Sequence, residues 1–356
     1  MLGVARSRRL ADMHLMIPNL TYEDRRRSLG RLALWWVETF SLIGRGGATG
    51  KPVTHSPEYI QFYLNAYALK PDGRRRCNRV SLWRPKGCNK SGLGNDLALF
   101  EAFGPCRFDH WAKPGETYTF LGQTYYYLPG EPVGRPVQRP EILCLATSED
   151  QSGNIFDSIY YNCTSGPLAQ LQGFGMEVTK TRIGLPEGGE IIPTTSGDAS
   201  KDGGLETFAL MDEVHLYTLP KHHSMYKTVQ RNLPKRSLDA DPWVLEMTTY
   251  FRPGQNSVAE NTLRLAVPSI IRACISTIGI RRFLSRIFLM RRSLSTRCMS
   301  RMVLPPIRMM VRITSFFLMG VSRPLMPMAI RLRGSRFVMM ASSRDRRRMV
   351  GLTFMV

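Results

Sequence analysis

The chain has 356 residues, 49 Lys+Arg against 28 Asp+Glu, and a formal net charge of +21. That length can hold two domains, and the cation excess points to a polyanionic partner. No run of eighteen apolar residues occurs, so neither a spanning helix nor a membrane partner is expected, and the Arg-bearing N-terminus lacks the apolar stretch of a secretory signal.

The charge is unevenly spread. Residues 1–260 carry 30 basic and 27 acidic side chains, whereas 261–356 carry 19 Arg, no Lys, no Glu and one acid, Asp345. Seven Cys form no C-x-x-C pair and no zinc spacing, which fits free thiols in a reducing cytosol.

In chain order, residues 1–30 are mixed and Arg-rich, a loosely ordered lead-in. Leu32 to Leu42 has helical pattern, with Trp35 and Trp36 covering a core edge. Gly44 to Gly50 is a loop; no strand precedes it, so it is not taken as a phosphate cradle. Pro57 to Leu69 is a second helix, with Ile60, Tyr63, Leu64, Tyr67 and Ala68 on one apolar face. Pro71-Asp72-Gly73 is a turn, and Arg74-Arg75-Arg76 a solvated basic turn.

The central stretch is Val80 to Ser91: an apolar run, then Arg84-Pro85-Lys86-Gly87-Cys88-Asn89-Lys90-Ser91, then a helix through Phe103. Lys-Ser at the mouth of a helix, after a strand and a polar turn, is the chemical centre of a phosphate-binding loop. Turn N–H groups wrap the phosphates, the Lys ammonium reaches the outer ones and the hydroxyl ligates Mg²⁺. Against G-x-x-x-x-G-K-[ST], Arg84 stands at the first Gly and Asn89 at the second. Asn is the side-chain-bearing residue that best tolerates left-handed backbone, so Asn89 is a workable substitute.

Gly104 to Arg139 is irregular, with a hairpin over Gly115 to Tyr127. Glu141 to Thr147 is a buried strand; Ser148 then caps a helix running through Tyr161. Gly173 to Ile192 holds two short strands around the Pro186-Glu187-Gly188-Gly189 turn, and Thr194 to Gly204 is a polar loop.

Phe208 to Met211 is continuously apolar, as in a strand buried on both faces of a parallel sheet, and ends in Asp212-Glu213, about 120 residues after Ser91. In nucleotide hydrolases the first such acid holds the Mg²⁺ shell and its neighbour activates water. His215, His222 and His223 lack Cys or acid partners at zinc spacing. Lys221 to Arg236 is a basic helix in which Arg231 is a candidate DNA or nucleotide contact. Trp243 to Tyr250 is a further strand; in translocating ATPases a polar residue at this place, here Thr248 or Thr249, senses the γ-phosphate.

The order and spacing of Arg84 to Gly92, Leu99 to Pro105, Phe208 to His215 and Arg252 to Glu260 resemble the ATPase half of a tailed-bacteriophage terminase large subunit, over roughly residues 30–260. The resemblance implies an α/β P-loop NTPase with a mostly parallel central sheet flanked by helices, over 31–260. It implies a Mg²⁺-dependent ATPase that packages DNA. Lys90 with Arg84, Lys86, Gly87, Cys88, Asn89 and Ser91 would bind ATP. Ser91 and Asp212 would hold Mg²⁺, Glu213 would polarise water, and Lys86, with Arg84, would reach the γ-phosphate. Thr248 and Thr249 would couple hydrolysis to movement; a segment before the phosphate loop would meet the adenine, for which Tyr59 or Gln61 could serve, although the aromatic-rich helix is read first as core. Double-stranded DNA, a portal protein, a small terminase subunit and a homo-oligomeric ring are the implied partners, and the bacterial host cytoplasm the implied place.

Beyond Asn261 the character changes: 12 of the chain's 19 Met lie there among Arg, Ser, Ile and Leu. A nucleic-acid-binding arm, a membrane-surface segment and a reading-frame shift near codon 261 compete. The shift is preferred, because Lys and Glu vanish together just where the resemblance stops. The expectation is then a disordered tail without a recognisable fold, in which only Ile280 to Leu294 could form an amphipathic helix. A two-metal nuclease needs several carboxylates, so Asp345 alone does not support one. The rival to the ATPase is a non-enzymatic nucleic-acid-binding protein acting through this tail; a P-loop helicase is disfavoured, since no helicase motif follows Tyr250.

Overall fold

The computed structural model describes residues 14–17, 20–147, 149–194, 203–266, 329–332, 335–338 and 351–355. Its strands are β1 (His14–Ile17), β2 (Arg79–Trp83), β3 (Arg107–Trp111), β4 (Thr117–Phe120), β5 (Gln123–Tyr126), β6 (Pro132–Arg135), β7 (Glu141–Leu145), β8 (Glu177–Val178), β9 (Ile183–Gly184), β10 (Glu190–Thr194), β11 (Phe208–Met211), β12 (Trp243–Thr248), β13 (Ala329–Leu332), β14 (Ser335–Val338) and β15 (Gly351–Met355). Its helices are α1 (Tyr22–Arg26), α2 (Gly30–Phe40), α3 (Pro57–Ala66), α4 (Lys90–Phe103), α5 (Glu149–Ser165) and α6 (Pro220–Asn232), and a further helix covers 258–266.

Nine strands form one sheet in the order β1-β15-β2-β12-β11-β7-β10-β9-β8. Its centre, β2-β12-β11-β7-β10, is parallel throughout. Every residue of β11 and β12 is buried, so their apolar runs meet helices on both faces. Register aligns the carboxyl ends: Thr248 lies opposite Trp83, and Met211 opposite Leu145. The loops after β2, β11 and β12 therefore open on one edge, where ligands of open α/β sheets bind. β12 lies between β2 and β11, which puts Thr248 between the strand that leads to Lys90 and Ser91 and the strand that ends at Asp212 and Glu213.

The α4 helix lies on this sheet at close range. A Cβ added to Gly94 would sit 2.6 Å from Met247 Cε and 3.0 Å from Leu210 Cδ1, so glycine is what lets the helix approach. Trp36 packs its ring 5.6 Å from Phe100 and 5.3 Å from Phe40, tying α2 to α4.

A buried ion pair fixes the far end of α4. Glu101 Oε2 meets Arg107 Nη1 at 2.7 Å, and Tyr67 Oη donates to Glu101 Oε1 at 2.7 Å. Arg107 also donates to the carbonyls of Cys106 (3.0 Å), Thr207 (3.2 Å) and Ala240, the last two just before β11 and β12. On β12, Glu246 is wholly buried and accepts from Arg79, Ser81 and Tyr226, each at 2.7 Å, and from Thr262 at 2.9 Å.

Several expectations change. Within the first thirty residues, β1 is a strand of the sheet, and α1 starts from a complete capping box between Thr21 and Asp24. Of the expected face over Pro57 to Leu69, Tyr63, Tyr67 and Ala68 are buried, but Ile60 and Leu64 are only half-buried, and Tyr59, Phe62 and Ala66 are buried in α3 beside Tyr63. Arg75 is not solvated: its guanidinium lies 4.2 Å from the Trp243 ring centre and 4.8 Å from that of Tyr67. Arg76 pairs with Asp24 at 2.8 Å.

The stretch 104–139 contains the expected hairpin, β4–β5, and also a second antiparallel pair, β3–β6. Three short strands, β8, β9 and β10, occupy Gly173 to Thr194, with β9 and β10 antiparallel around the Pro186 turn. The helix after β7 runs on to Ser165, and its expected cap, Ser148, lies outside the described residues.

The helix over 258–266 crosses the composition change at Asn261 without a break, and Thr262 and Ala266 on it are buried. The chain divides into two compact units, Met1–Ala273 with Gly351–Val356, and Cys274–Val350. In the second, β13 and β14 pair antiparallel. In the first, β15 pairs antiparallel with β2. The remaining expectations for the tail, including a helix over Ile280 to Leu294, fall outside the described residues, as does most of the 194–204 loop.

Candidate functional site

The loop after β2 has the backbone that an anion cradle requires. Gly87 has φ 80°, and Asn89, the residue before α4, has φ 53° and ψ 37°, left-handed backbone at the place where the pattern has glycine. Lys90 and Ser91 follow as the first two residues of α4, so both side chains leave a helix N-terminus.

Lys90 is 6 % exposed, and its Nζ donates to the Pro85 carbonyl at 3.3 Å and lies 3.8 Å from Glu213 Oε1. Ser91 Oγ donates to Asp212 Oδ2 at 3.1 Å across 121 residues of sequence. The fold thus brings Lys90, Ser91, Asp212 and Glu213 together. Cys88 is half-buried in the loop, and Gly87 and Lys86 are exposed at its tip.

Burial, then the neighbouring Glu213 charge, pushes the Asp212 carboxyl up to about 6, against the Ser91 hydrogen bond, the Glu213 N–H and Lys90. A cation between Ser91 and Asp212 would reverse this. One hydroxyl and one carboxylate suit Mg²⁺, which takes few protein ligands and fills its octahedron with water and phosphate oxygens. Among the described residues, no group of three or more His, Cys, Asp and Glu side chains could hold a metal by itself.

Glu213 sits at φ 49°. Burial works against its ionisation, but the His215 hydrogen bond and then the Lys90 charge hold its carboxyl below the usual range. His215 Nδ1 lies 3.1 Å from Glu213 Oε2, and the Thr249 N–H donates to the same oxygen at 3.3 Å. Thr248 Oγ1 accepts from the His215 N–H at 3.1 Å and donates to the Thr249 carbonyl at 2.9 Å. Both threonines at the end of β12 are thus joined to the acidic loop.

Arg84 is held by α3. Its guanidinium meets Glu58 at 2.5 Å, with both side chains largely buried, where the sequence pattern had it reaching a phosphate. Tyr59 donates to the Cys88 carbonyl, so its hydroxyl anchors the loop. His55 extends the same buttress: Nε2 is 3.5 Å from Asp96 on α4, and Nδ1 is 3.4 Å from Glu38 on α2. Arg231 turns back on its own helix to Thr228 at 3.1 Å.

The sequence pattern did not reveal His215 or Glu58. His215 had a signal, its place two residues after Glu213 at the end of an apolar strand. Glu58 had none, because its partner lies 26 residues away.

No family model matches the chain. The Gene 13 proteins of Mycobacterium phages L5 and D29 are each 25% identical to it over 209 residues, covering 57% of this chain and 32% of theirs. The crystal structure of the HK97 bacteriophage large terminase is similar with TM-score 0.48 and 16% identity, covering 68% of this chain and 42% of that one. The chain spans about a third of the length of the curated relatives it matches.

Proposed function

We propose that this terminase-like chain is an ATP-hydrolysing subunit of a DNA-packaging motor. The observation that carries the proposal is the convergence of Lys90, Ser91, Asp212 and Glu213 at the carboxyl edge of a parallel sheet, beside a loop with left-handed backbone at Gly87 and Asn89. Such a site suits a nucleoside triphosphate. Loop N–H groups and the α4 N-terminus face its phosphates, and the Lys90 ammonium, now 3.8 Å from Glu213, turns to the outer ones. Ser91 and Asp212 would hold Mg²⁺, whose charge would offset that on the phosphate oxygens.

Glu213 accepts the hydrogen bond of the attacking water and aligns it with the γ-phosphorus. Lys86, exposed at the loop tip, closes over the γ-phosphate. Thr248 and Thr249, joined to Glu213 through His215 and the Thr249 N–H, carry the change after hydrolysis into β12 and the segment behind it. Double-stranded DNA is the substrate moved; a portal protein, a small terminase subunit and a ring of like subunits are the partners, in the host cytoplasm.

The test is turnover. Lys90→Ala and Glu213→Ala each abolish Mg²⁺-dependent release of phosphate from ATP by the purified chain. Substantial turnover in either variant sinks the assignment.

A further inference from the structure

One side chain at this edge has no part in the phosphate-loop chemistry yet touches every group that links the two strands. His215 lies on the single turn Val214–Leu216, directly after Glu213. Its backbone N–H donates to Thr248 Oγ1 at 3.1 Å. Its Nδ1 lies 3.1 Å from Thr248 Oγ1 and 3.1 Å from Glu213 Oε2, and both ring nitrogens lie 3.3 Å from Thr249 Oγ1.

The hydrogen-bond inventory assigns the ring proton. The Thr248 hydroxyl proton goes to the Thr249 carbonyl at 2.9 Å, so Thr248 Oγ1 faces the ring as an acceptor. Glu213 Oε2 is an acceptor too. Two acceptors at 3.1 Å from Nδ1 require that Nδ1 carry the proton and share it between them. One N–H therefore ties the carboxylate after β11 to the hydroxyl that ends β12.

We propose that His215 is a positioning residue: its Nδ1–H fixes the Glu213 carboxylate for water activation and links it to Thr248 and Thr249. This rests on the reading of the site as an ATPase. Lys90 is the other group near Glu213, and it is drawn away when phosphates occupy the loop. The carboxylate then depends on His215 and the Thr249 N–H alone among the partners described here. His215 does not reach the phosphate loop's own groups, so nucleotide binding does not require it.

The test compares three variants for ATP turnover and, separately, for equilibrium binding of a fluorescent ATP analogue. His215→Ala lowers kcat about a hundredfold, the scale of a misplaced catalytic group, with analogue binding and KM unchanged. His215→Asn restores most of the rate, because its amide N–H takes the place of Nδ1–H. His215→Gln, whose amide reaches the Nε2 position, does not. Thermal melting of each variant checks that the fold is kept; Asn against Gln reads the geometry even if the alanine variant unfolds.

Turnover by His215→Ala within about threefold of the parent overturns the proposal, as does equal rescue by Asn and Gln. A parent chain that binds and hydrolyses no ATP overturns the underlying ATPase reading instead, and that outcome is distinct because no variant is needed to see it.

Discussion

Replacing Glu101 with glutamine removes one charge from the buried network that holds α4 to the sheet. Glu101 is wholly buried and Arg107 nearly so, and they meet at 2.7 Å. Breaking such a pair leaves an uncompensated buried cation and costs about 3–5 kcal/mol. Glutamine keeps one acceptor oxygen for Arg107, and the Tyr67 hydroxyl can turn to accept from its amide N–H, so the lower end applies, about 3 kcal/mol. With a urea slope of about 2–3 kcal/mol/M, the midpoint falls by about 1 M or slightly more. Replacing Arg107 with methionine as well removes the stranded charge, so Glu101→Gln/Arg107→Met loses less than the sum of the single changes. Urea unfolding followed by circular dichroism measures all four proteins. A Glu101→Gln loss under about 1 kcal/mol, or strictly additive single losses, refutes the argument that this is a charged pair sealed from water. The consequence reaches the site, because α4 carries Lys90 and Ser91 at its other end.

Two further outcomes follow from particular geometries. Asn89 has φ 53°, so Asn89→Gly keeps stability and ATP turnover, whereas Asn89→Val loses about 1–2 kcal/mol and weakens ATP binding; equal behaviour of the two in unfolding and binding assays contradicts the left-handed assignment. Burial opposes ionisation of Asp24, but the Thr21 hydrogen bonds and the Arg76 and Arg27 guanidinium groups hold its carboxyl below the model-peptide value of 3.8. A depressed carboxyl contributes stability that is present above its unfolded pKa and is lost as pH falls through its folded one. Asp24→Asn is therefore less stable by about 1 kcal/mol at neutral pH, with the deficit closing below about pH 4; a deficit unchanged in acid contradicts it.

The placement of the candidate site's side chains was legible where it depends on neighbours in sequence. Lys90 and Ser91 follow a turn, Asp212 and Glu213 end a four-residue apolar run, and the strand types follow from composition alone. Even the exchange of glycine for Asn89 could be anticipated, because backbone preference is local. Tertiary partners were not legible. Arg84 had the right place for a phosphate contact, but Glu58 on α3 claims it at 2.5 Å. Arg75 looked like one of three solvated cations until Tyr67 and Trp243 enclosed it. On α3 Tyr63, Tyr67 and Ala68 are buried as expected, but Tyr59, whose hydroxyl reaches the Cys88 carbonyl, is buried while Ile60 and Leu64 are only half-buried, a contact that sequence spacing does not show. At the N-terminus an Arg-rich composition masked the Thr21–Asp24 capping box.

The central claim is that the edge formed by Lys90, Ser91 and Asp212 binds Mg²⁺-ATP, and equilibrium binding tests it before any catalysis is asked for. Titrating the fluorescent ATP analogue into the purified chain, with Mg²⁺ and with chelator, should give saturable binding that ATP displaces. Binding should weaken without Mg²⁺ and disappear in Lys90→Ala while the thermal melt stays in place. Binding that is absent from the parent chain, or equally strong in Lys90→Ala and indifferent to Mg²⁺, contradicts the account.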